Sequence, residues 1–312
     1  MSTELLVAAA FPNRRIVGHE VLTGGLINTN LKIHFESDLD PVVLRIYRDG
    51  AAACRKEAAI HELVRRDIPV PEIFYVASEG LDGSPPFAIV EYVEGLTFQQ
   101  LKRTNDNAAI AQAAADVGKT LAAIGRFQFS APGELTSYEG ELVAGDKFID
   151  GSDPIPRLVD RFLGSPVLQQ RASTELIDHL HNFVWSHAAV LPQLENDRSL
   201  VHNDYGNRNI LVREENGNWR VAAVLDWELA FSGSPLLDVG HFLRYELRSQ
   251  SLREPYFSRA FVAHGGYLPD NWQSIVKLID LTALVECLTH KNLPSDVEAE
   301  LFDLIQRTLA MA

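Results

Sequence analysis

The sequence VHNDYGNRNILV, residues 201–212, is the most informative stretch of this chain. His202 stands two residues before Asp204, and Asn209 follows five residues after it. A second aspartate, Asp226, lies seventeen residues past Asn209 in the strand-like sequence VLDW. An H-x-D-x-x-x-x-N loop followed by a strand-borne aspartate is typical of phosphoryl transfer to a hydroxyl. In that layout the first aspartate accepts the hydroxyl proton, while the asparagine and the second aspartate hold magnesium on the nucleotide phosphates.

A β-hairpin is predicted between the loop and the second aspartate. Segments 210–215 and 218–226 are rich in Val, Ile, Leu and Trp, and they flank Asn216-Gly217. Both residues of such a pair tolerate the positive φ of a tight hairpin turn. Folding about this turn predicts two facing pairs, Asp226 with Asn207 and Val224 with Asn209.

The predicted hairpin gathers oxygen-bearing side chains at its open end, namely Asp204, Asn209 and Asp226. Magnesium prefers hard oxygen ligands and usually takes one or two protein carboxylates together with phosphate and water. In the alternative interpretation each aspartate only caps a turn, as many aspartates near strand ends do. The combined spacing across one hairpin favours the metal and phosphate site.

Composition limits the classes of protein to be considered. The chain has 312 residues, of which 46% are hydrophobic and 22% charged, as in ordinary globular proteins. Its net charge of −14 and its lack of a Lys/Arg-dense patch argue against nucleic-acid binding and are compatible with a cationic substrate. The two cysteines, Cys54 and Cys287, lie far apart, which predicts neither a disulfide framework nor a zinc site.

No targeting or membrane segment is predicted. The start of the chain lacks a basic region before its short apolar run, so it is interpreted as a lead-in helix or strand. No run approaches the roughly 18 apolar residues that a membrane span needs. These features predict a cytoplasmic protein that does not contact membranes, and they leave the oligomeric state undetermined.

The two halves of the chain differ in their predicted secondary structure. Residues 1–93 consist mostly of short strands with one helix near residues 51–66, whereas helices dominate residues 94–312. The predicted helices of the second half include 167–191 and 235–249. The segment Glu91 to Gly95 is interpreted as the linker between two lobes. Residues 130–154 are rich in Gly, Pro, Ser and Asp and are expected to form a long loop. A small β lobe and a larger helical lobe leave a cleft between them, where nucleotides commonly bind.

Two features of the first lobe could contact phosphates. Gly24 and Gly25 lie between strands, where backbone N–H groups can approach an anion closely, although a plain turn would have the same sequence. Arg45 lies in an apolar strand and needs a partner, and Glu57 falls on the sheet-facing side of the next helix. An Arg45–Glu57 pair would hold the cation toward the phosphates. The alternative is an edge-strand arginine that points to solvent.

Together these motifs resemble the aminoglycoside phosphotransferase and choline kinase-like family, whose members are small-molecule relatives of the protein kinases. The resemblance covers most of the chain. Its most specific parts are the loop from His202 to Asn209, the motif containing Asp226, and the sequence GSPLLD at residues 233–238.

The resemblance implies an α+β, two-lobed protein-kinase-like fold, with a small antiparallel β N-terminal lobe and a larger mainly helical C-terminal lobe. It implies ATP and Mg²⁺ as cofactors and a small-molecule hydroxyl compound as substrate. The implied residue roles are Asp204 as catalytic base or hydroxyl-orienting group, Asn209 and Asp226 as metal ligands, Gly24, Gly25, Arg45 and Glu57 as phosphate-binding residues, the backbone of Glu91 to Val93 as adenine contact, and His202 and Asp238 as structural supports.

The chain departs from the family pattern at three positions. Arg45 stands where lysine is usual, which keeps the charge but changes its geometry. Asn203 stands where glycine is common, and Asp226 is followed by Trp227-Glu228, so that Glu228 adds a charge near the metal or faces solvent. None of these changes removes a group that the mechanism needs.

Two other functional classes remain at this point. One is a catalytically silent nucleotide-binding regulatory protein on the same fold, against which the retention of Asp204, Asn209 and Asp226 argues. The other is a metal hydrolase that would use His202 and His241 with the two aspartates, although no H-E-x-x-H sequence is present. The acceptor stays undefined. Acidic residues of the second half could bind an amine or could be solvated helix faces; they include Glu246, Glu254, Asp270 and Glu286.

Overall fold

The first ninety residues form a five-stranded antiparallel sheet. The computed structural model describes residues 3–22, 28–36, 39–148, 152–246 and 253–310. The strand order is β1-β2-β3-β5-β4. The strands are β1 (Ile16–Leu22), β2 (Thr29–Phe35), β3 (Val42–Ile46), β4 (Ile73–Ala77) and β5 (Phe87–Glu91).

Two helices accompany this sheet. Helix α1 (Thr3–Ala8) packs Leu6 and Val7 into a core formed with apolar side chains of the sheet. Helix α2 (Ala51–Val64) contributes Ile60 and Val64 to the larger core of the helical half. Helix α2 therefore connects the two halves, and its residue Glu57 is buried where they meet.

The rest of the chain is mainly helical, as the sequence predicts. Short strands interrupt the helices. The first, β6 (Leu96–Thr97), precedes α3 and adds a third strand to the predicted hairpin; the others are named below with the loops they flank. The helices are α3 (Phe98–Arg103), α4 (Asn107–Ile124), α5 (Pro154–Leu163), α6 (Pro166–Arg171), α7 (Thr174–Ser186), α8 (Leu236–Leu243), α9 (Tyr256–Ala263), α10 (Trp272–Cys287) and α11 (Ser295–Leu309). This small antiparallel β lobe with a larger helical lobe confirms the predicted fold class.

Helix α4 supports the predicted hairpin. Asp106 caps its N-terminus by accepting hydrogen bonds from the N–H groups of Ala108 and Ala109. Near the middle of the helix, the buried Asp116 accepts from the N–H of Val221 at 2.8 Å and from Arg220 at 3.1 Å. A buried carboxylate must be satisfied in this way, and the contact fixes the hairpin against the helical core.

The hairpin is present, but its predicted register is wrong by one residue at the open end. Strands β10 (Ile210–Glu215) and β11 (Asn218–Val224) pair as expected next to the turn, where Glu215 faces Asn218. A bulge between Leu211 and Val212 then shifts the pairing, so Val224 faces Ile210 rather than Asn209. An extra residue in one strand cannot be read from the turn sequence, because bulges follow tertiary packing.

Three further predictions are corrected by the structure, and the first is the long loop. Residues 130–154 are not a continuous loop, because β7 (Gly133–Tyr138) and β8 (Glu141–Ala144) form a hairpin there. Its turn is made by Glu139 and Gly140, both at positive φ, so the glycine-rich composition marks a tight turn. Strand β7 also joins β12 (Phe231–Gly233), which pairs in turn with β9 (Ser199–Val201).

The helix predicted over residues 167–191 is interrupted. It is divided into α6 and α7 because Ala172 is extended and Ser173 caps α7 by accepting from the N–H of Leu176. Two short 3₁₀ turns follow α7 at residues 188–190 and 192–194. The helix predicted over 235–249 ends at Leu243 within the described chain, and residues 247–249 lie outside the described residues.

Candidate active site

The loop after β9 is held from below by helix α8. Asp238, near the start of α8, is fully buried and accepts hydrogen bonds from the backbone N–H groups of His202 at 2.7 Å and Asn203 at 2.9 Å. Burial raises the pKa of Asp238 to about 7, and the two N–H donors oppose that rise. The contact pins two successive peptides of the loop to the helix.

His202 is a buried support with both ring nitrogens engaged. Its Nε2 lies 2.9 Å from the carbonyl oxygen of Leu225, and its Nδ1 accepts the N–H of Asp204 at 3.2 Å. The ring packs against Trp227 with centroids 4.6 Å apart. Burial lowers the pKa of His202 to about 4, so it is neutral and leaves no nitrogen for a metal or for a reacting proton.

Asp204 and Asn209 are in contact at the top of the loop. Nδ2 of Asn209 donates to Oδ2 of Asp204 at 2.7 Å and to its backbone oxygen at 3.0 Å. Asp204 is open to solvent on one side, but the surrounding protein displaces much of its water. This desolvation raises its pKa to about 6; the positive charge of Arg244 opposes the rise and the negative charge of Asp226 adds to it.

Asp226 is presented by the end of the hairpin. The N–H of Leu225 donates to the carbonyl oxygen of Asn209 at 2.8 Å, so the two residues that precede and follow the hairpin strands stay paired. Asp226 then takes a φ of 68°, a left-handed conformation that is uncommon outside glycine and is often retained at functional sites. This turn directs its carboxylate to the guanidinium of Arg45.

The expected Arg45–Glu57 pair is present and is extended by Asp226. Nε of Arg45 donates to Oε2 of Glu57 at 2.9 Å, and Nη2 donates to Oδ1 of Asp226. Oε1 of Glu57 accepts the N–H of Trp227 at 3.3 Å. Burial opposes the charge of Arg45, but Glu57 and Asp226 outweigh it and raise its pKa further above its ordinary value. The arginine therefore does not point to solvent.

Glu228 is buried at the edge of this cluster and does not face solvent. Its Oε2 accepts from Nδ2 of Asn28 at 2.6 Å and lies 3.9 Å from Nη2 of Arg45. Burial, followed by the charge of Asp226, raises its pKa to about 7. The proposed glycine positions, Gly24 and Gly25, lie outside the described residues, but Asn28 shows that the segment after them contacts the Asp226 turn.

The linker keeps backbone N–H groups that no described acceptor uses, and Val93 supplies one of them. The N–H of Glu91 donates to the carbonyl oxygen of Glu72 at 2.8 Å. In the described chain no acceptor contacts the N–H of Val93. The ring of Tyr92 lies under the ammonium group of Lys32, 3.8 Å from the ring centroid. The described edge of the cleft therefore offers Val93 as a hydrogen-bond donor.

The side chains of this site suit magnesium in type and number. Asn209 and Asp226 supply an amide and a carboxylate oxygen, and magnesium completes its shell with phosphate and water. The negative charge of Asp226 raises the pKa of both Asp204 and Glu228, which is the electrostatic condition that a divalent cation relieves. Within residues 3–22, 28–36, 39–148, 152–246 and 253–310, no group of three or more His, Cys, Asp or Glu is arranged as a metal centre of its own.

The sequence did not point to two arginines near the loop, the buried Arg253 and the half-buried Arg244. Arg253 donates from Nη1 to Oδ1 of Asn207 at 2.9 Å and from Nε to Glu246. Arg244 pairs with Asp280, with contacts down to 2.7 Å. Neither arginine belongs to a recognisable motif, because each lies in or beside a helical segment whose neighbours are known only from the fold.

The acidic residues that the sequence suggested as a possible amine-binding site have separate surroundings in the structure. Glu246 pairs with Arg253, and Glu254 accepts from the hydroxyl of Ser258. Asp270 is exposed, and burial raises the pKa of Glu286.

No described helix is long and apolar enough to cross a membrane.

Comparison with known proteins identifies the family. The model described as Phosphotransferase enzyme family matches residues 19–273. Acyl-CoA dehydrogenase family member 11 of Mus musculus is 26% identical over 186 residues, which is 59% of this chain and 21% of that protein. The Homo sapiens protein of the same name is 44% identical over 52 residues, 17% of this chain and 6% of that protein. This chain thus spans only a small part of those relatives.

Solved structures share the whole fold. A thermostable mutant of aminoglycoside phosphotransferase APH(4)-Ia, in a ternary complex with AMP-PNP and hygromycin B, has a TM-score of 0.72 at 18% identity and covers 99% of this chain and 98% of its own. The GDP and kanamycin complex of APH(2")-IIia has a TM-score of 0.70 at 18% identity, with 98% of both chains covered.

Proposed function

Because the chain belongs to the phosphotransferase enzyme family, we propose that it transfers the γ-phosphoryl group of ATP, bound with Mg²⁺, to a hydroxyl of a small molecule. The observation that carries this proposal is the position of Arg45 between Glu57 and Asp226. This arrangement ties a phosphate-binding cation to the aspartate proposed as metal ligand, and the hairpin ties that aspartate to the loop of Asp204.

The donor side would be organised by four side chains and the linker backbone. Arg45, fixed by Glu57, would pair with the α- and β-phosphates, and the N–H of Val93 would bind the adenine. Asn209 and Asp226 would hold Mg²⁺, which when bound neutralises the charge of the phosphates. A nucleotide as donor is supported by the complexes of proteins with the same fold, which include AMP-PNP and GDP, and the AMP-PNP complex supports the choice of ATP.

Asp204 would act on the acceptor. Its carboxylate, oriented by Asn209, would accept a hydrogen bond from the acceptor hydroxyl and take its proton as the oxygen attacks the γ-phosphorus. The new bond is oxygen to phosphorus, the bond from the γ-phosphorus to the bridging oxygen breaks, and ADP leaves with that electron pair. Positioning and charge neutralisation supply most of the catalysis in such transfers.

The direct test is a panel of hydroxyl compounds incubated with the protein and MgATP. The expected result is the formation of ADP together with a phosphate ester of at least one compound. A control without acceptor measures background ATP hydrolysis. ATP that binds but is consumed by no acceptor, in a panel that includes sugars, amino alcohols, hydroxy acids and aminoglycosides, would favour the silent nucleotide-binding protein instead.

A further inference from the structure

Arg244 lies at the end of helix α8 that is next to the loop of Asp204, because Nη1 of Arg253 contacts both the carbonyl oxygen of Phe242 and Oδ1 of Asn207 in that loop. Arg244 follows helix α8, whose earlier residue Asp238 holds the loop of Asp204. Arg244 is the strongest influence opposing the raised pKa of Asp204, and Cys287 at the end of α10 feels the charges of both residues. Arg45 lies on strand β3 of the sheet and contacts Asp226 from that side. The two arginines therefore approach from different lobes.

Only one edge of the Arg244 guanidinium is used by the protein. Nε lies 3.1 and 3.0 Å from the two carboxylate oxygens of Asp280, and Nη2 lies 2.7 Å from Oδ1. This is a side-on pair with a carboxylate that is only 3% exposed. Because Nε and Nη2 both donate to this one buried carboxylate, the guanidinium is held in a fixed plane.

The opposite edge of the same guanidinium keeps unused donors. Among the described residues, Nη1 of Arg244 has no hydrogen-bond acceptor, and Nη2 is used only by Asp280. The side chain is 17% exposed, so it reaches open space despite its buried partner. Arginine presents its donors as a rigid fork that matches the two oxygens of a carboxylate or phosphate. The free edge is thus preorganised for an anion.

Lys277 adds a second positive charge beside Arg244. Lys277 donates from Nζ to the carbonyl oxygens of Leu243 and Arg244, at 3.4 and 3.3 Å. His241 lies 3.5 Å from Asp280, but burial and then Arg244 lower its pKa to about 3, so it is neutral. Arg244 and Lys277 thus place two positive charges beside Asp280, while Asp204 and Glu246 are further carboxylates whose charges act on these cations. An acceptor that carries an ammonium group would meet repulsion at this place.

We propose that Arg244 determines acceptor specificity by binding an anionic group of the acceptor with its free edge. The acceptor is then a hydroxy compound that also carries a carboxylate or a phosphate, and its hydroxyl lies at Asp204. This inference rests on the proposed phosphoryl transfer. It replaces the expectation of a cationic acceptor, which rested on the net charge of the whole chain and on acidic residues of its second half that make separate contacts in the structure.

The first test measures anion binding without requiring any acceptor to be known. Crystals of the complex with MgADP are soaked in selenate, and anomalous difference density is examined around Arg244. We expect density within hydrogen-bond distance of Nη1 in the unmodified protein and in the Arg307→Met control, which removes an exposed arginine of α11 that pairs with Asp303. An adventitious ion only, bound equally without Arg244, would overturn the proposal.

Two variants separate the role of Arg244 from folding. Arg244→Lys keeps a charge opposite Asp280 but loses the fork, and Arg244→Met combined with Asp280→Leu removes both members of the pair. We expect weakened selenate density in the first and none in the second, while both still bind MgADP. No density in the unmodified protein, or density that persists in the double variant, would contradict the proposal.

The second test varies only the charge of the acceptor. Phosphoryl transfer from MgATP is compared for glycerate, glycerol 3-phosphate, glyceramide and 3-amino-1,2-propanediol. We expect kcat/KM to be at least about tenfold higher for the two anions than for the amide, as hydrogen bonds to charged groups allow, and the preference to vanish in the double variant. The glycerate and glycerol phosphate arms distinguish a carboxylate from a phosphate.

The two tests fail in different ways. If the amine is the best acceptor, or if the preference for anions survives the loss of Arg244, the specificity role is wrong while phosphoryl transfer stands. If MgATP binds but no acceptor in the panel or in the wider set of hydroxyl compounds is phosphorylated, the proposed function is wrong. In that case the selenate result still decides whether Arg244 binds anions.

Discussion

Arg45 on strand β3 donates a hydrogen bond from Nη2 to Oδ1 of Asp226, which follows strand β11 in the other half of the chain. The contact joins the two lobes at the place where phosphates are proposed to bind. Because Glu57 holds the same guanidinium through Nε at 2.9 Å, the arginine has one fixed orientation. When a nucleotide binds, Arg45 would therefore have to contact the phosphates and Asp226 together.

Two substitutions of Arg45 should distinguish the contribution of its charge from that of its guanidinium geometry. We expect Arg45→Lys to keep measurable phosphoryl transfer with a higher KM for ATP, since lysine preserves the charge but cannot contact Glu57 and Asp226 together. Arg45→Met should lower kcat/KM about 100-fold or more, because hydrogen bonds between charged groups contribute roughly 1.5–3 kcal/mol each. Steady-state kinetics with varied ATP measures both effects. Equal activity of the methionine and lysine variants would contradict the phosphate-binding role.

Asp238 should make stability depend on pH. Its folded-state pKa of about 7 exceeds its ordinary value of 3.8, so the folded protein binds this proton more tightly than the unfolded chain does. The resulting stabilisation is complete below pH 3.8 and is lost as the pH rises through about 7. Between pH 5 and pH 7 the titration of this single group should lower the free energy of unfolding by roughly 2 kcal/mol.

Urea unfolding of the unmodified protein and of Asp238→Asn at pH 5 and pH 7 measures this effect. The variant should be less stable overall, since an amide cannot accept from both His202 and Asn203 as a carboxylate does. Its stability should also change less between the two pH values. The same pH dependence in both proteins would show that Asp238 does not titrate in this range.

Arg253 should support the loop rather than bind substrate. It is fully buried, contacts Asn207 and pairs with Glu246, so Arg253→Met leaves polar partners in an apolar environment. We expect a loss of roughly 3–5 kcal/mol in unfolding free energy, with reduced kcat. Arg307→Met, at an exposed ion pair, should cost less than about 1 kcal/mol. Thermal and urea unfolding provide the measurement, and equal losses for the two variants would refute the bracing role.

Much of the fold could be predicted because its signals are local. The Asn216-Gly217 turn fixes the β10–β11 hairpin, and apolar periodicity identifies most helices. The bulge between Leu211 and Val212 could not be predicted, because it depends on how the hairpin packs. The break between α6 and α7 has a local signal in Ser173, a capping residue that also occurs freely inside helices and loops.

The contacts of the candidate site also fall into those that the sequence predicts and those that only the fold reveals. The contact of Asp204 with Asn209 and the pairing of Arg45 with Glu57 follow from motif spacing. The contact of Arg45 with Asp226 joins residues from different lobes, so no sequence pattern shows it. Arg244 presents the same difficulty, because its partner Asp280 lies on another helix and only the folded chain reveals the free edge.

The most direct test of the central claim is Asp204→Asn, compared with the unmodified protein in both MgATP affinity and phosphoryl transfer. Asparagine preserves the size of the side chain and its contact with Asn209 but cannot accept the hydroxyl proton. We predict that the Kd for MgATP changes by less than about threefold while kcat falls at least about 100-fold, within the range attributed to a positioned general base. Near-normal kcat in the variant would contradict the proposed role of Asp204 and the mechanism built on it.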